Sequence, residues 1–108
     1  MVSDIVLLYV TCADLDEARR IGRCLVEERL AACVNLRAHE TIYRWQEAVE
    51  AGPEAALLVK TTQVAAAAAE ARNRALHSYS LPGILRFAPS GGLPDFLRWI
   101  AESVGPAQ

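Results

Sequence analysis

Read from the N-terminus, Asp4 to Cys12 is a nearly continuous apolar run of strand length, as in a strand covered on both faces or by one face and an interface. Asp14-Leu15-Asp16-Glu17 follows as an acidic cap with a carboxylate three residues on, and Ala18, Ile21, Gly22, Leu25 and Val26 recur at helical spacing. Arg19, Arg20, Arg23 and Glu27 fall on the wet side of that helix. The stretch Glu28 to Asn35 then turns a charged helix end through the small residues Ala31, Ala32 and Cys33, a pattern that predicts close backbone packing. Val34 to Leu36 continues as strand, and Thr41, Tyr43 and Trp45 alternate onto one face. Gln46 to Pro53, ending in Gly52-Pro53, reads as the hairpin loop, with Glu54 to Thr62 returning as a second long strand. Gln63 to Leu76 is helical by propensity, since Val64 is followed by five alanines. His77 to Gly83 breaks the pattern, with Pro82-Gly83 supporting a type II turn. Ile84 to Ala88 is a last strand, and Leu93, Phe96, Leu97, Ile100 and Val104 mark a short amphipathic helix stopped at Gly105-Pro106.

The order strand, helix, strand, strand, helix, strand, helix fits an α+β, ferredoxin-like βαββαβ sandwich with an extended β-hairpin and a C-terminal helix. The halves resemble one another at an offset of 50, with Leu7, Leu8 and Thr11 against Leu57, Leu58 and Thr61. Helices on one sheet face leave the other face bare, which predicts a homo-oligomer. The hairpin strands exceed what so small a core needs, so their outer ends are expected to meet another subunit. At 108 residues the chain, residues 1–108, reads as a single domain.

A hydrophobic fraction of 53% describes a packed protein, and a net charge of -2 provides no general attraction to nucleic acid or anionic membranes. Met1 to Asp4 lacks a basic leader, and the apolar run Ile5 to Val10 is too short to span a bilayer, so a cytoplasmic protein is expected. Cys12, Cys24 and Cys33 form an odd set without CxxC spacing, the usage of free thiols in a reducing compartment. No nucleophile with a neighbouring base, paired catalytic carboxylates or glycine-rich phosphate loop can be read, so no enzyme is expected.

The candidate metal ligands are Cys33, Cys12 and His77. A thiolate at Cys33 suits copper(I), and it could join Cys12 or His77 across a packed interface, although buried cysteine also serves as a small hydrophobe. Cys24 reads as structural. His77 could bind copper or zinc, or cap the helix C-terminus, with Tyr79 beside it as a hydrogen-bond donor. His39 reads as an exposed hairpin residue, with contact to a metal as the lesser alternative. Lys60, with Thr61, Thr62 and Thr11, would make a polar cluster for a small anion if the two central strands run parallel; an ion pair with Glu54, Glu47 or a neighbouring subunit is the structural alternative. Tyr43 and Trp45 read as interface anchors or as a ligand platform.

Leu30-Ala31-Ala32-Cys33-Val34-Asn35, Tyr43 and Trp45, Lys60-Thr61-Thr62, His77 and Tyr79 with Pro82, and Phe96-Leu97-Arg98-Trp99 together resemble the CutA family of divalent-cation tolerance proteins. The resemblance runs from about Ile5 to Ile100. It implies a homotrimer of ferredoxin-like subunits, similar to PII-like signalling proteins, and a link to copper and other divalent cations. The family's usual His-Pro-Tyr-Glu-x-Pro-Glu loop is altered here, with Ser78, Ser80 and Gly83 in place of Pro, Glu and Glu. If that loop helps to hold metal, this chain should hold it less well or through other groups. Three functions follow: a trimeric metal-responsive protein with contacts drawn from Cys33, Cys12 and His77; a PII-like regulatory module binding a small anionic effector in an intersubunit cleft lined by Lys60, Thr61, Trp45 and Tyr79; or a very stable scaffold whose role is in protein contacts.

Overall fold

The computed structural model describes residues 4–105; the readings placed on Met1 to Ser3 and on Pro106 lie outside the described residues. The element order is β1 (Ile5–Cys12), α1 (Leu15–Glu27), β2 (Cys33–Trp45), β3 (Ala48–Thr62), α2 (Gln63–Leu76), β4 (Ile84–Phe87) and α3 (Pro94–Ser103). The sheet order is β2-β3-β1-β4, with every neighbouring pair antiparallel. This is the ferredoxin-like arrangement that the alternation of apolar periods predicts.

Strand alternation divides the sheet into two faces. Leu8, Val10 and Cys12 of β1 and Ala55, Leu57 and Val59 of β3 point toward the helices, where they close a core with Ala18, Ile21 and Leu25 of α1 and Ala69 of α2. Gly22 lets α1 approach closely, since a Cβ there would sit 3.3 Å from Val34 Cγ1. Val26, expected on the packed stripe, is instead exposed at its edge. The opposite face is not wholly bare: α3 covers one corner by burying Ile100 against Ile5 and Ala32. Tyr9, Leu85 and Phe87 on that face stay exposed in the single chain.

The junction after α1 is a packing device. Arg29 takes a positive φ of 60°, closing the helix where glycine is usual, and the Leu30 and Ala31 amides both donate to the Leu25 carbonyl. The Ala32 amide then donates to Lys60 O, and the buried Thr61 hydroxyl donates to Leu30 O at 2.7 Å, which fixes the start of β2 against β3.

Two expectations are corrected. The hairpin loop is not Gln46 to Pro53: β3 begins at Ala48, and the turn is Gln46-Glu47, both at positive φ (49° and 74°), as a type I′ turn requires. Pro53 is accommodated because it lies just beyond Cys12↔Ala55, the last pair of β1 with β3, so no strand on that flank needs its missing N–H. The central strands also do not run parallel. Thr11 pairs with Ala56 and Thr61 with Val6, so the cluster of Thr11 with Lys60, Thr61 and Thr62 does not form.

Candidate functional site

Two constellations lie near the C-terminal end of β1, on opposite faces of the sheet. The first is buried on the helix side. Asp14 caps α1 by accepting from the Glu17 amide at 2.8 Å, and this places the Glu17 side chain beneath the loop that follows α2. Glu17 Oε1 accepts from the Ala13 amide at 2.9 Å, one residue earlier than a capping box requires, and its Oε2 accepts from the Ser78 amide at 2.8 Å. A proline at 78, the residue of the family pattern, has no N–H to give. The Ser78 amide thus makes a contact with Glu17 that a proline at 78 could not make.

His77 stands beside that carboxylate with its side chain fully buried. Its Nε2 lies 2.6 Å from Thr11 O, a pure acceptor, so Nε2 carries the proton; its Nδ1 accepts from the Tyr79 amide at 3.1 Å. Both ring nitrogens are thereby committed. Cys12 Sγ completes the trio: one ligand atom each from Cys12, Glu17 and His77 lie within 4.8 Å of one another. Burial, followed by the nearby Glu17 and Glu54 carboxylates, pushes the Cys12 thiol up to about 12, which keeps it protonated at neutral pH. Burial also pushes Glu17 up, but the hydrogen bonds from Ser78 and Ala13 outweigh it and hold this carboxyl below its usual range. These donor types suit a soft or borderline metal. Without one, the same groups form a hydrogen-bonded lock between α1 and the loop.

The second constellation opens on the other face. Thr11, Thr41, Tyr43, Trp45 and Glu54 with Tyr79 to Leu81 and Gly83 enclose a cleft of about 410 Å³ that runs from the base of the hairpin toward its tip. Its walls are aromatic and hydroxylic, and Glu54 is the one charged residue of the lining. Ser80 and Gly83 are two lining positions where the family pattern carries glutamate. Glu54 Oε2 accepts from the Tyr79 hydroxyl at 3.2 Å, and Oε1 lies 2.9 Å from His39 Nε2, its direct cross-strand partner. Burial and then the Glu54 charge push the Tyr79 phenol up to about 12, so it stays a donor.

The residues singled out from sequence are thus distributed. Cys12 and His77 meet, and Cys33 is apart from them: it pairs with Lys60, which pairs with Leu7. From Leu7 to Cys12 the strand advances roughly 17 Å, and Cys33 and Cys12 face opposite sides of the sheet. Trp45, Tyr43 and Tyr79 line the cleft, whereas Lys60 and Thr61 are at the far end of β3. The Lys60 ammonium donates to the Asn35 side chain rather than to Glu54 or Glu47. Sequence reasoning treated Glu17 only as a cap and Glu54 only as a partner for Lys60. The capping pattern was a partial signal for the first; the second needed the register of β2 against β3.

Fold and site define a class: a ferredoxin-like sandwich with a projecting β-ribbon and an aromatic cleft carrying a carboxylate at the ribbon's base. The family model of the CutA1 divalent ion tolerance protein matches residues 6–103. The chain belongs to the CutA family of divalent-cation tolerance proteins. It is 42% identical over 100 residues to the divalent-cation tolerance protein CutA of Thermus thermophilus, covering 92% of this chain and 97% of that one. The corresponding protein of Archaeoglobus fulgidus is 39% identical over 97 residues, covering 90% and 95%. Among solved structures, CutA from Xylella fastidiosa superposes with a TM-score of 0.92 at 44% identity, covering 95% of this chain and all (100%) of that one. The Archaeoglobus fulgidus structure, described as a periplasmic divalent cation tolerance protein, gives 0.91 at 38% identity and covers 94% and 99%.

Proposed function

We propose that this CutA-family protein acts as a homotrimer that binds copper or another divalent cation in response to metal, and that it does so in the cytoplasm without catalysing a reaction. The observation that carries the reading is the cleft along the hairpin, whose lining bears one charged group, the Glu54 carboxylate, so that its field favours a cation. Exposed Tyr43 and Trp45 on the projecting ribbon, and Tyr9, Leu85 and Phe87 on the open face, support self-association. Free thiols at Cys12, Cys24 and Cys33 support a reducing compartment. No helix among the described residues is long and apolar enough to cross a membrane.

The alternative, a PII-like module that takes a small anionic effector, has the aromatic walls of Trp45 and Tyr79 in its favour and Glu54 against it. Isothermal titration of the full chain with copper(II), zinc(II), inorganic phosphate and ATP separates the two. Saturable cation binding with silent anions is expected; saturable phosphate or ATP binding with silent cations overturns the reading. Light scattering should give about three times the 11.8 kDa chain mass, and a monomer mass at micromolar concentration removes the trimer from it.

A further inference from the structure

The cleft is long and thin, and the ribbon face along which it runs is charged at two places. Pairing of β2 with β3 sets Glu54 opposite His39, Gly52 opposite Thr41 and Glu50 opposite Tyr43, all on the open face. Glu54 and the exposed Glu50 are four residues apart on β3, roughly 14 Å along the strand. Between them Gly52 leaves the floor open, since a Cβ there would meet nothing within 4 Å. From the His39↔Glu54 pair to the Trp45↔Ala48 pair this face holds those two carboxylates and no lysine or arginine. Arg37, one same-face pair further in, marks where the field changes sign. The His39 Nε2–H donates to Glu54 Oε1 at 2.9 Å and the Tyr79 hydroxyl donates to Oε2 at 3.2 Å, which leaves each oxygen one further lone pair for a donor.

A metal ion would engage one end of this groove only. Two separated carboxylates with aromatic walls between them suit a cation whose charge is spread along a thin apolar chain: its ammonium groups meet carboxylates or ring faces, and its methylenes lie against the rings. We infer that the cleft binds a linear aliphatic polyamine, with one terminal ammonium at Glu54, the other at Glu50, and the chain laid beside Tyr43 across the open floor at Gly52. This goes beyond the metal reading and shares with it only the field of Glu54. Length then sets specificity. A triamine or tetraamine reaches both carboxylates, whereas a short diamine reaches one.

Calorimetric titration of the full-length wild type with spermidine, spermine and putrescine tests this. Spermidine and spermine should bind saturably and about tenfold or more tighter than putrescine, the worth of one added ammonium–carboxylate contact. Glu50→Gln, at an exposed position, should bring spermidine down to the affinity of putrescine and leave putrescine unchanged. Glu54→Gln should weaken all three. Glu40→Gln removes the same charge from the other ribbon face, where Glu40 pairs with Pro53, and should change none of them. Each variant is checked for unchanged circular dichroism and mass. If Glu40→Gln weakens spermidine as much as Glu50→Gln does, the attraction is unspecific and the inference is overturned. Silent polyamines with saturable copper(II) or zinc(II) binding overturn it while the metal reading stands; polyamine binding as described with silent metals does the reverse.

Discussion

Asn73 of α2 is fully buried, and neither its amide nitrogen nor its amide oxygen has a hydrogen-bond partner among the described residues. It continues the stripe of Ala66 and Ala69 that packs toward the sheet and α1. A buried amide deprived of water and of partners costs roughly 1–3 kcal/mol. Replacing it with the similarly branched leucine removes that penalty and adds about 0.4 kcal/mol of helix propensity, against a steric cost of up to about 1 kcal/mol for the larger methyl groups. Asn73→Leu should therefore stabilise the protein by about 1–2 kcal/mol, or roughly 4–16 °C in melting temperature for a domain of this size. Asn73→Asp should do the reverse, by about 3 kcal/mol or more, because it buries a charge in the same unpartnered place. Urea denaturation at one fixed protein concentration, with wild type and variants side by side, measures both, since self-association would make apparent stability depend on concentration. A Leu variant that is less stable than wild type by more than 1 kcal/mol would mean that the amide is satisfied in solution, and the reasoning would be wrong.

Further expectations concern the buried lock. Ser78→Pro removes the amide that serves Glu17 Oε2 and should cost about 1.5–3 kcal/mol in denaturant titrations, while Ser78→Ala, which keeps the amide, should cost less. The folded-state pKa of Glu17 is below its ordinary value of 4.5, so its contribution is complete above that value and is lost as pH falls through the depressed one. The stability gap between wild type and Glu17→Gln should accordingly be flat from neutral pH to about pH 5 and close at more acid pH, as acid-denaturation curves would reveal. Cys12, with its thiol near 12 and no exposure, should resist alkylation at neutral pH until the chain is unfolded, whereas mass spectrometry should find Cys24 and Cys33 modified first.

The elements were legible wherever burial imposes a period. Helix α2 was predicted to its residue limits because alanine favours it, and β1 to within one residue because its apolar run reflects the core on one face and α3 at one corner of the other. The hairpin turn was not legible, because Gln46-Glu47 lacks the glycine or asparagine that marks a type I′ turn, while Gly52-Pro53 carries turn residues within a strand. The internal likeness of Leu7, Leu8 and Thr11 to Leu57, Leu58 and Thr61 identified equivalent strands but not their directions. The two halves meet as a pseudo-two-fold pair, so equivalent strands run in opposite senses and Thr11 is carried away from Thr61. The same limit applied to the sites. Cys12 meets His77 only through the chain reversal after α2, and His39 meets Glu54 only through a register fixed by the turn that the residues do not advertise.

That turn bears on how the molecule reaches its fold. Left-handed backbone at two non-glycine residues makes the hairpin tip a poor place for pairing to begin, so β2 and β3 should zip from the Cys33–Lys60 end outward, closing the tip last. Beyond Cys12↔Ala55 the outer pairs, from His39↔Glu54 to Trp45↔Ala48, have no third strand alongside, and an isolated two-stranded ribbon is marginal in water. Amide hydrogen exchange should therefore quicken stepwise toward the tip, and any slowing with rising protein concentration would report, strand pair by strand pair, whether a second copy clasps the ribbon.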